Sequence, residues 1–396
     1  MERRIRTVTF FSNYLSHHQI PFSDAMNSIP GIDYKFVATM PFNQKRAALG
    51  YSDLNCKYSY VIRAYDDTKS RDEAYELANT SDLAIIGSAS DSFVISRLKN
   101  KQLTFKYSER LYKKDIPIIK FPYAAISAWL HHGRFQNCPL YMLCASAYTA
   151  ADCARFGNYK NRTYKWGYFP EECHIEEDEL FRIKNTTDKV VILWVGRLIA
   201  WKHPELSIII ADRLKKSGYN FELNIIGNGE QENTIREMIA ALNLSDCVKM
   251  RGSMQPEKVQ EHMQRAHIFL FTSDFNEGWG AVLNEAMSNG CSIVASHAIG
   301  SVPYLIKHKE NGLIYCNGNT DDLFNCVKHL IDDKEYRLQV GGNAFHTIHE
   351  MWNAQIASLR LIELAENLIN GDSKIPLFDN GPCSPAPILS NDWFKH

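Results

Sequence analysis

The chain has 396 residues, of which 45% are hydrophobic and 22% charged, with a formal net charge of −1. That length leaves room for about two or three domains, and the composition is an ordinary globular one with apolar material for a sizeable core. The near-neutral charge argues against a general nucleic-acid binder, which would carry a clear basic excess.

Strand-like and helix-like runs alternate along the chain. In the first half, residues 6–11, 33–39, 58–63, 83–87, 103–107 and 139–145 read as strands, and 20–28, 72–78 and 148–156 as helices, with Ser146 placed to cap the last. From Lys165 to Asn185 the alternation stops, and an acidic run follows Trp166-Gly167-Tyr168-Phe169-Pro170. A second alternating series then begins. Strands are expected at 189–196, 221–227, 248–251, 267–272 and 292–296, with helices at 204–217, 230–242, 256–266, 281–288 and 302–307. Residues 320–331 and 336–368 are helical in stretches, and four prolines follow Gly371. Such alternation predicts parallel sheets with helices on both faces. The reading is α/β, with two doubly wound, Rossmann-like domains facing across a cleft. They span 1–170 and 189–350, joined by a linker at 171–188, with a C-terminal helix at 351–370 crossing back to the first domain and a tail at 371–396.

Ten cysteines are scattered from Cys56 to Cys383 without a Cys-x-x-Cys or a zinc-spaced Cys/His cluster. That pattern reads as reduced thiols in a cytosolic protein. No apolar run reaches the roughly 18 residues that cross a bilayer. The apolar part of the basic N-terminus, Val8 to Phe11, is too short for a signal peptide. The adjacent His131 and His132 would not share a helix face and are not read as metal ligands.

Four stretches carry candidate chemistry, each following an expected strand. Asn276-Glu277-Gly278-Trp279-Gly280 precedes a helix whose early part holds Glu285. Two carboxylates placed this way can hold hydroxyl groups. Glycines and a helix N-terminus beside them let backbone N–H groups approach an anion. The alternative is a solvated loop carboxylate and a helix-dipole carboxylate. Gly196-Arg197 leaves a strand and Lys202 precedes a helix, so two cations can meet a diphosphate. The alternative is a surface pair, although a cation near a helix start is mildly unfavourable. Gly227-Asn228-Gly229 and Gly252-Ser253-Met254 are weaker signals, since a lone Gly-x-Gly is common. There is no Gly-x-Gly-x-x-Gly after a strand, so NAD is not expected.

In this order along the chain, Gly-Arg-x4-Lys, Gly-Asn-Gly, Arg-Gly-Ser and Glu-x7-Glu resemble the retaining GT-B glycosyltransferases, family 4 (group 1) in particular. The resemblance covers nearly all of the second half. It implies transfer of a sugar from a nucleotide-diphosphate sugar to a hydroxyl acceptor in surface polysaccharide or lipid-linked glycan synthesis. Arg197, Lys202 and Glu277 would be catalytic. Gly196, Gly227, Asn228, Ser253, Met254, Gly278, Trp279, Gly280 and Glu285 would bind the donor. The first domain would hold the acceptor, a glycan or lipid-linked glycan.

The first half departs from the family pattern. Its loop Ser12-Asn13-Tyr14-Leu15-Ser16-His17-His18 has no glycine, and Tyr107-Ser108-Glu109-Arg110 stands where relatives carry a histidine. His17 and Glu109 are the candidates there for acceptor binding or proton transfer. No Asp-x-Asp stands in the second domain, so no metal and no cofactor beyond the donor is expected. The resemblance further implies a cytoplasmic protein that could touch the inner face of the membrane through Arg110, Tyr112, Lys113 and Lys114. An ordinary solvated stretch is the alternative for those residues. Two other functions stay open: a nucleotide-sugar 2-epimerase of the same fold, and a non-catalytic nucleotide-sugar or glycan-binding protein.

Overall fold

A computed structural model describes residues 4–42, 53–113, 116–371 and 376–394. Two compact units divide the chain: Met1–Pro170 with Asn353–Ser390, and Glu171–Trp352 with Asn391–His396.

The first unit is a seven-stranded parallel sheet. Its strands are β1 (Thr7–Ser12), β2 (Asp33–Ala38), β3 (Val61–Arg63), β4 (Leu83–Ile86), β5 (Thr104–Ser108), β6 (Leu140–Cys144) and β7 (Thr163–Lys165), in the order β3-β2-β1-β4-β5-β6-β7. The second unit has six parallel strands: β8 (Val190–Val195), β9 (Phe221–Ile226), β10 (Val248–Gly252), β11 (Ile268–Phe271), β12 (Ser292–Ser296) and β13 (Leu313–Tyr315). Their order is β10-β9-β8-β11-β12-β13. The cause is legible in β8, whose residues are Val-Val-Ile-Leu-Trp-Val. A strand with no polar alternation must be covered on both faces, which a parallel sheet flanked by helices provides. Ile192 and Trp194 of β8 accordingly sit in one core with Ile225, Leu270, Val294 and Tyr315 from four other strands.

Three stretches differ from the sequence reading. Residues 171–188, expected as a linker, contain the helix Glu177–Lys184, which is part of the second unit. Its Leu180 is fully buried. Its Lys184 ammonium is buried too, donating to the carbonyls of Met263 and Ala266 at 3.0 and 2.5 Å. Three acids in its first turn and Arg182 and Lys184 in its last match the helix dipole, a signal lost inside the acidic run. Part of the tail is packed as well: Cys383 and Ser384 are buried, and Pro385 bridges to Tyr164 of β7. The third is Phe121–His131, a helix that strand/helix periodicity missed because it is apolar nearly all round.

The stretch 336–368, expected to be helical in parts, holds two helices, Lys334–Glu350 and Ala354–Asn370. Asn353 separates them: its side chain accepts the N–H of Ile356 at 2.8 Å and caps the second helix. Asn353→Ala is expected to cost about 1 kcal/mol, read as a lower midpoint in urea unfolding. The helix Ala354–Asn370 packs against Ile20–Asn27 in the first unit, and Glu366 accepts the N–H of Ile5 at 3.0 Å.

Candidate functional site

Four neighbouring strands of the second sheet, β10, β9, β8 and β11, end in the four motif stretches. Gly196 and Arg197 leave β8. Gly227-Asn228-Gly229 leaves β9. Ser253 and Met254 leave β10, and residues 272–280 leave β11. The chain winds outward in both directions from β8, so β8 and β11 flank the topological switch point, where doubly wound sheets bind ligands.

The loops after β8 and β11 are tied by polar contacts. The Trp194 indole N–H donates to Thr272 Oγ1 at 2.9 Å, and the Thr272 hydroxyl donates to the Lys202 carbonyl at 2.7 Å. The Asp274 N–H donates to the Trp201 carbonyl at 3.0 Å. This framework brings Lys202 to Glu277: Nζ donates to Oε2 at 2.6 Å, and the Ser273 hydroxyl donates to the same oxygen at 2.9 Å. Only 13% of the Lys202 side chain and 10% of that of Glu277 is exposed. Each charge therefore depends on the other for the solvation it has lost. Trp201 stands beside both cations, its ring centre 4.8 Å from Lys202 Nζ and 5.9 Å from the exposed Arg197 guanidinium. With Lys202 paired to Glu277, the Arg197 guanidinium is the exposed cation beside Trp201.

Backbone packs on backbone where the β9 loop meets the β8 loop. Gly227 has φ +135°, and a Cβ there would lie 1.9 Å from the Gly196 carbonyl oxygen. A Cβ on Gly229 would lie 2.4 Å from the Leu198 oxygen. The Leu198 N–H in turn donates to the Asn228 carbonyl at 2.8 Å. Asn228 and Ser253 are exposed, Met254 is half-buried, and Gly278 is buried. Gly280 has φ +84° above the Phe271 ring. The Trp279 side chain belongs to the core. Its indole is fully buried, donates to Asn284 Oδ1 at 2.9 Å, and packs against Tyr304 and Trp352. It anchors the loop, leaving only its backbone for contact.

Glu285 lies one turn into the helix Val282–Ser288. Desolvation pushes its carboxyl up from 4.5 to about 7. An acid whose folded pKa is raised loses native stability as pH climbs from the unfolded value to the folded one. Glu285 should therefore remove stability between pH 4.5 and about 7 and add no further change above. Glu285→Gln is expected to flatten that part of the pH profile of urea unfolding.

In the first unit, His17 follows β1 and Glu109 follows β5, both at carboxyl ends. The structure connects them through two residues that the sequence did not single out. The His17 and His18 rings are 3.8 Å apart, and the His18 ring stacks on Tyr168 at 5.7 Å. The Tyr168 hydroxyl donates to Glu109 Oε1 at 2.6 Å. Arg110, expected at a surface, is turned inward: 11% of its side chain is exposed, it pairs with Asp152 at 3.6 Å and lies over the Tyr148 ring. Tyr112 packs on Phe156, Lys113 is exposed, and Lys114 lies outside the described residues. Ser273, Thr272 and Trp201 were also missed. A polar residue closing an apolar strand, and an aromatic beside a motif cation, were their only signals. Among the described residues no group of three or more His, Cys, Asp or Glu could hold a metal ion.

Residues 176–347 match the family model of the glycosyl transferases group 1. The second unit carries a group 1 glycosyltransferase domain. The match takes in every motif position of that unit. Among curated proteins, the amylovoran biosynthesis glycosyltransferase AmsK of Erwinia amylovora is 32% identical over 182 residues, 45% of this chain and 44% of that protein. The alpha-D-kanosaminyltransferase of Streptomyces kanamyceticus is 29% identical over 157 residues, 40% of each chain. The chain thus spans less than half the length of these relatives. Among solved structures, Anabaena Alr3699/HepE in complex with UDP has a TM-score of 0.65 at 13% identity, covering 91% of this chain and 99% of that one. Sucrose-phosphate synthase of Thermosynechococcus elongatus has 0.65 at 15%, covering 93% and 100%. At such identities the likeness is one of fold, and the fold is GT-B.

Proposed function

We propose that the protein is a retaining glycosyltransferase that moves a sugar from a nucleotide-diphosphate donor to a hydroxyl of a glycan or lipid-linked glycan, in surface polysaccharide synthesis. The observation that carries this is the Lys202–Glu277 pair beside Arg197, at the carboxyl ends of β8 and β11, inside the matched domain. Breaking the bond from the anomeric carbon to the diphosphate leaves two electrons on a phosphate oxygen and an oxocarbenium-like sugar. Arg197 and Lys202 stabilise that leaving charge, as preorganised donors do where charge develops. Glu277, fixed by Lys202 and Ser273, has its other oxygen for sugar hydroxyls. With the acceptor attacking on the face the diphosphate leaves, the departing oxygen is the nearest base for the acceptor's proton.

Glu285 would hold the ribose. Hydroxyl donors stabilise a carboxylate over the neutral acid, so nucleotide binding near pH 7 should release a proton from a group poised at about 7. Calorimetry of UDP binding in two buffers of different ionisation enthalpy is expected to show that release, and Glu285→Gln to abolish it. UDP is the first nucleotide to try because HepE, of like fold, was solved with it. The test of function is a mass-spectrometric screen against UDP-, GDP- and ADP-sugars. Slow donor hydrolysis or one specific donor is expected. Epimerised donor would favour the 2-epimerase, and nucleotide binding without turnover, with any acceptor, a binding protein.

A further inference from the structure

The connection from β5 to β6 begins with Glu109 and carries a surface that the fold does not use. Eleven large hydrophobic side chains are exposed among the described residues, and seven of them are Ile118, Ile119, Phe121, Tyr123, Ile126, Trp129 and Leu130. Ile118 and Ile119 are 93% and 88% exposed, and Tyr123 79%. These residues occupy a short 3-10 turn, Ile118–Lys120, and the helix Phe121–His131, of which only Ala128 is buried. Tyr123, Ile126 and Leu130, spaced i, i+3, i+7, form one stripe along that helix. Isolated exposed apolar residues are ordinary, but a contiguous apolar patch marks an interaction site.

Charge decides what kind of partner fits. From residue 116 to residue 138 the sequence has no Asp or Glu. Lys120 of the turn, Arg134 just past the helix and Arg155 are exposed, and the Arg155 guanidinium lies 5.9 Å from the Phe121 ring centre. This local basic character belongs to a chain whose net charge is −1. Trp and Tyr with polar tips, exposed aliphatic side chains and basic neighbours are the makeup of a surface that sits in the headgroup layer. The helix leaves Tyr123, Ile126, Trp129 and Leu130 exposed along its length. Lipid can meet such a surface without a preformed complementary groove.

We propose that this turn and helix dock the first unit on an anionic lipid surface. No helix among the described residues is long and apolar enough to cross a membrane, so the contact is peripheral. The inference rests on the lipid-linked acceptor proposed above for its purpose, since the docking helix belongs to the same connection as Glu109. For its chemistry it rests on the exposed side chains alone.

The test is co-sedimentation of the full chain with phosphatidylcholine vesicles, with and without phosphatidylglycerol. Binding to the anionic vesicles is expected, weakening as salt screens the basic side chains. The triple variant Ile119→Ser, Ile126→Ser, Trp129→Ser should lower that partitioning at least about tenfold, and Lys120→Glu with Arg134→Glu should remove the preference for anionic lipid. UDP binding and urea unfolding, measured without vesicles, should be unchanged in both variants, and the unfolding curve is what shows that the first unit, which carries the substitutions, still folds. Absence of vesicle binding by the wild-type chain at low salt would overturn the proposal, as would equal binding by the triple variant. Concentration-dependent dimerisation without vesicle binding, lost in the triple variant, would also overturn it and assign the patch to a second copy. Vesicle binding with no donor turnover would leave the docking standing and count against the transferase reading.

Discussion

Lys202→Ala is expected to lower glycosyl transfer by about a hundred- to a thousandfold, the usual effect of removing one preorganised donor to a developing negative charge. It should also destabilise the protein, because Glu277 keeps only Ser273 on an oxygen that now receives two donors. Removing one partner of a buried pair costs roughly 3–5 kcal/mol, and the remaining hydroxyl places this case toward the lower end. The double variant Lys202→Ala, Glu277→Ala should recover part of the stability and none of the activity. Arg197→Ala separates the two effects: its side chain is exposed, so turnover should fall with the unfolding midpoint unchanged. Rates on the preferred donor and urea unfolding of the four proteins check this. Near wild-type turnover in Lys202→Ala would remove both cations from the site, since Arg197 was placed there by the same framework.

Gly227→Ala is expected to damage the second unit as badly as any single methyl group can. The new Cβ would meet the Gly196 oxygen at 1.9 Å, backbone against backbone, where no side chain can move aside. Overpacking costs about 1–3 kcal/mol, and the left-handed φ adds roughly 1–2 more. Gly252→Ala is the control, since Gly252 has a left-handed φ of +70° but nothing within 4 Å of its added Cβ. It should show only the smaller, conformational part. Differential scanning calorimetry of the pair would check it, and equal losses in the two variants would mean that the Gly196 contact is not as close as described.

The placement of the motif residues was legible because they are local to strand ends: an apolar run followed by Gly-Arg or Asn-Glu-Gly places a side chain at a sheet edge. What was not legible came from long-range partners. Nothing in the sequence says that Lys202 meets Glu277, or that Tyr168 joins His18 to Glu109, because those pairs form only when loops from different strands converge. The burial of the Trp279 ring was hidden for the same reason, since its place in the core is set by Tyr304 and Trp352. The helix Glu177–Lys184 was hidden by charge composition, which cannot distinguish a solvated run from the outer face of a short packed helix. The helix Phe121–His131 was hidden by the opposite property, an apolar surface without a polar side to give it a period.

The helix Ala354–Asn370 completes the first unit, yet it follows all of the second sheet in the chain. A ribosome therefore releases this helix only after the whole second sheet. Until that helix emerges, Ile20–Asn27 lacks its packing partner and the Ile5 N–H its carboxylate. The first unit cannot finish folding in the order in which it is made, whereas the six strands of the second are all present beforehand. A nascent chain stalled before residue 354 would accordingly carry a complete second sheet and an unfinished first unit, which would depend on chaperones.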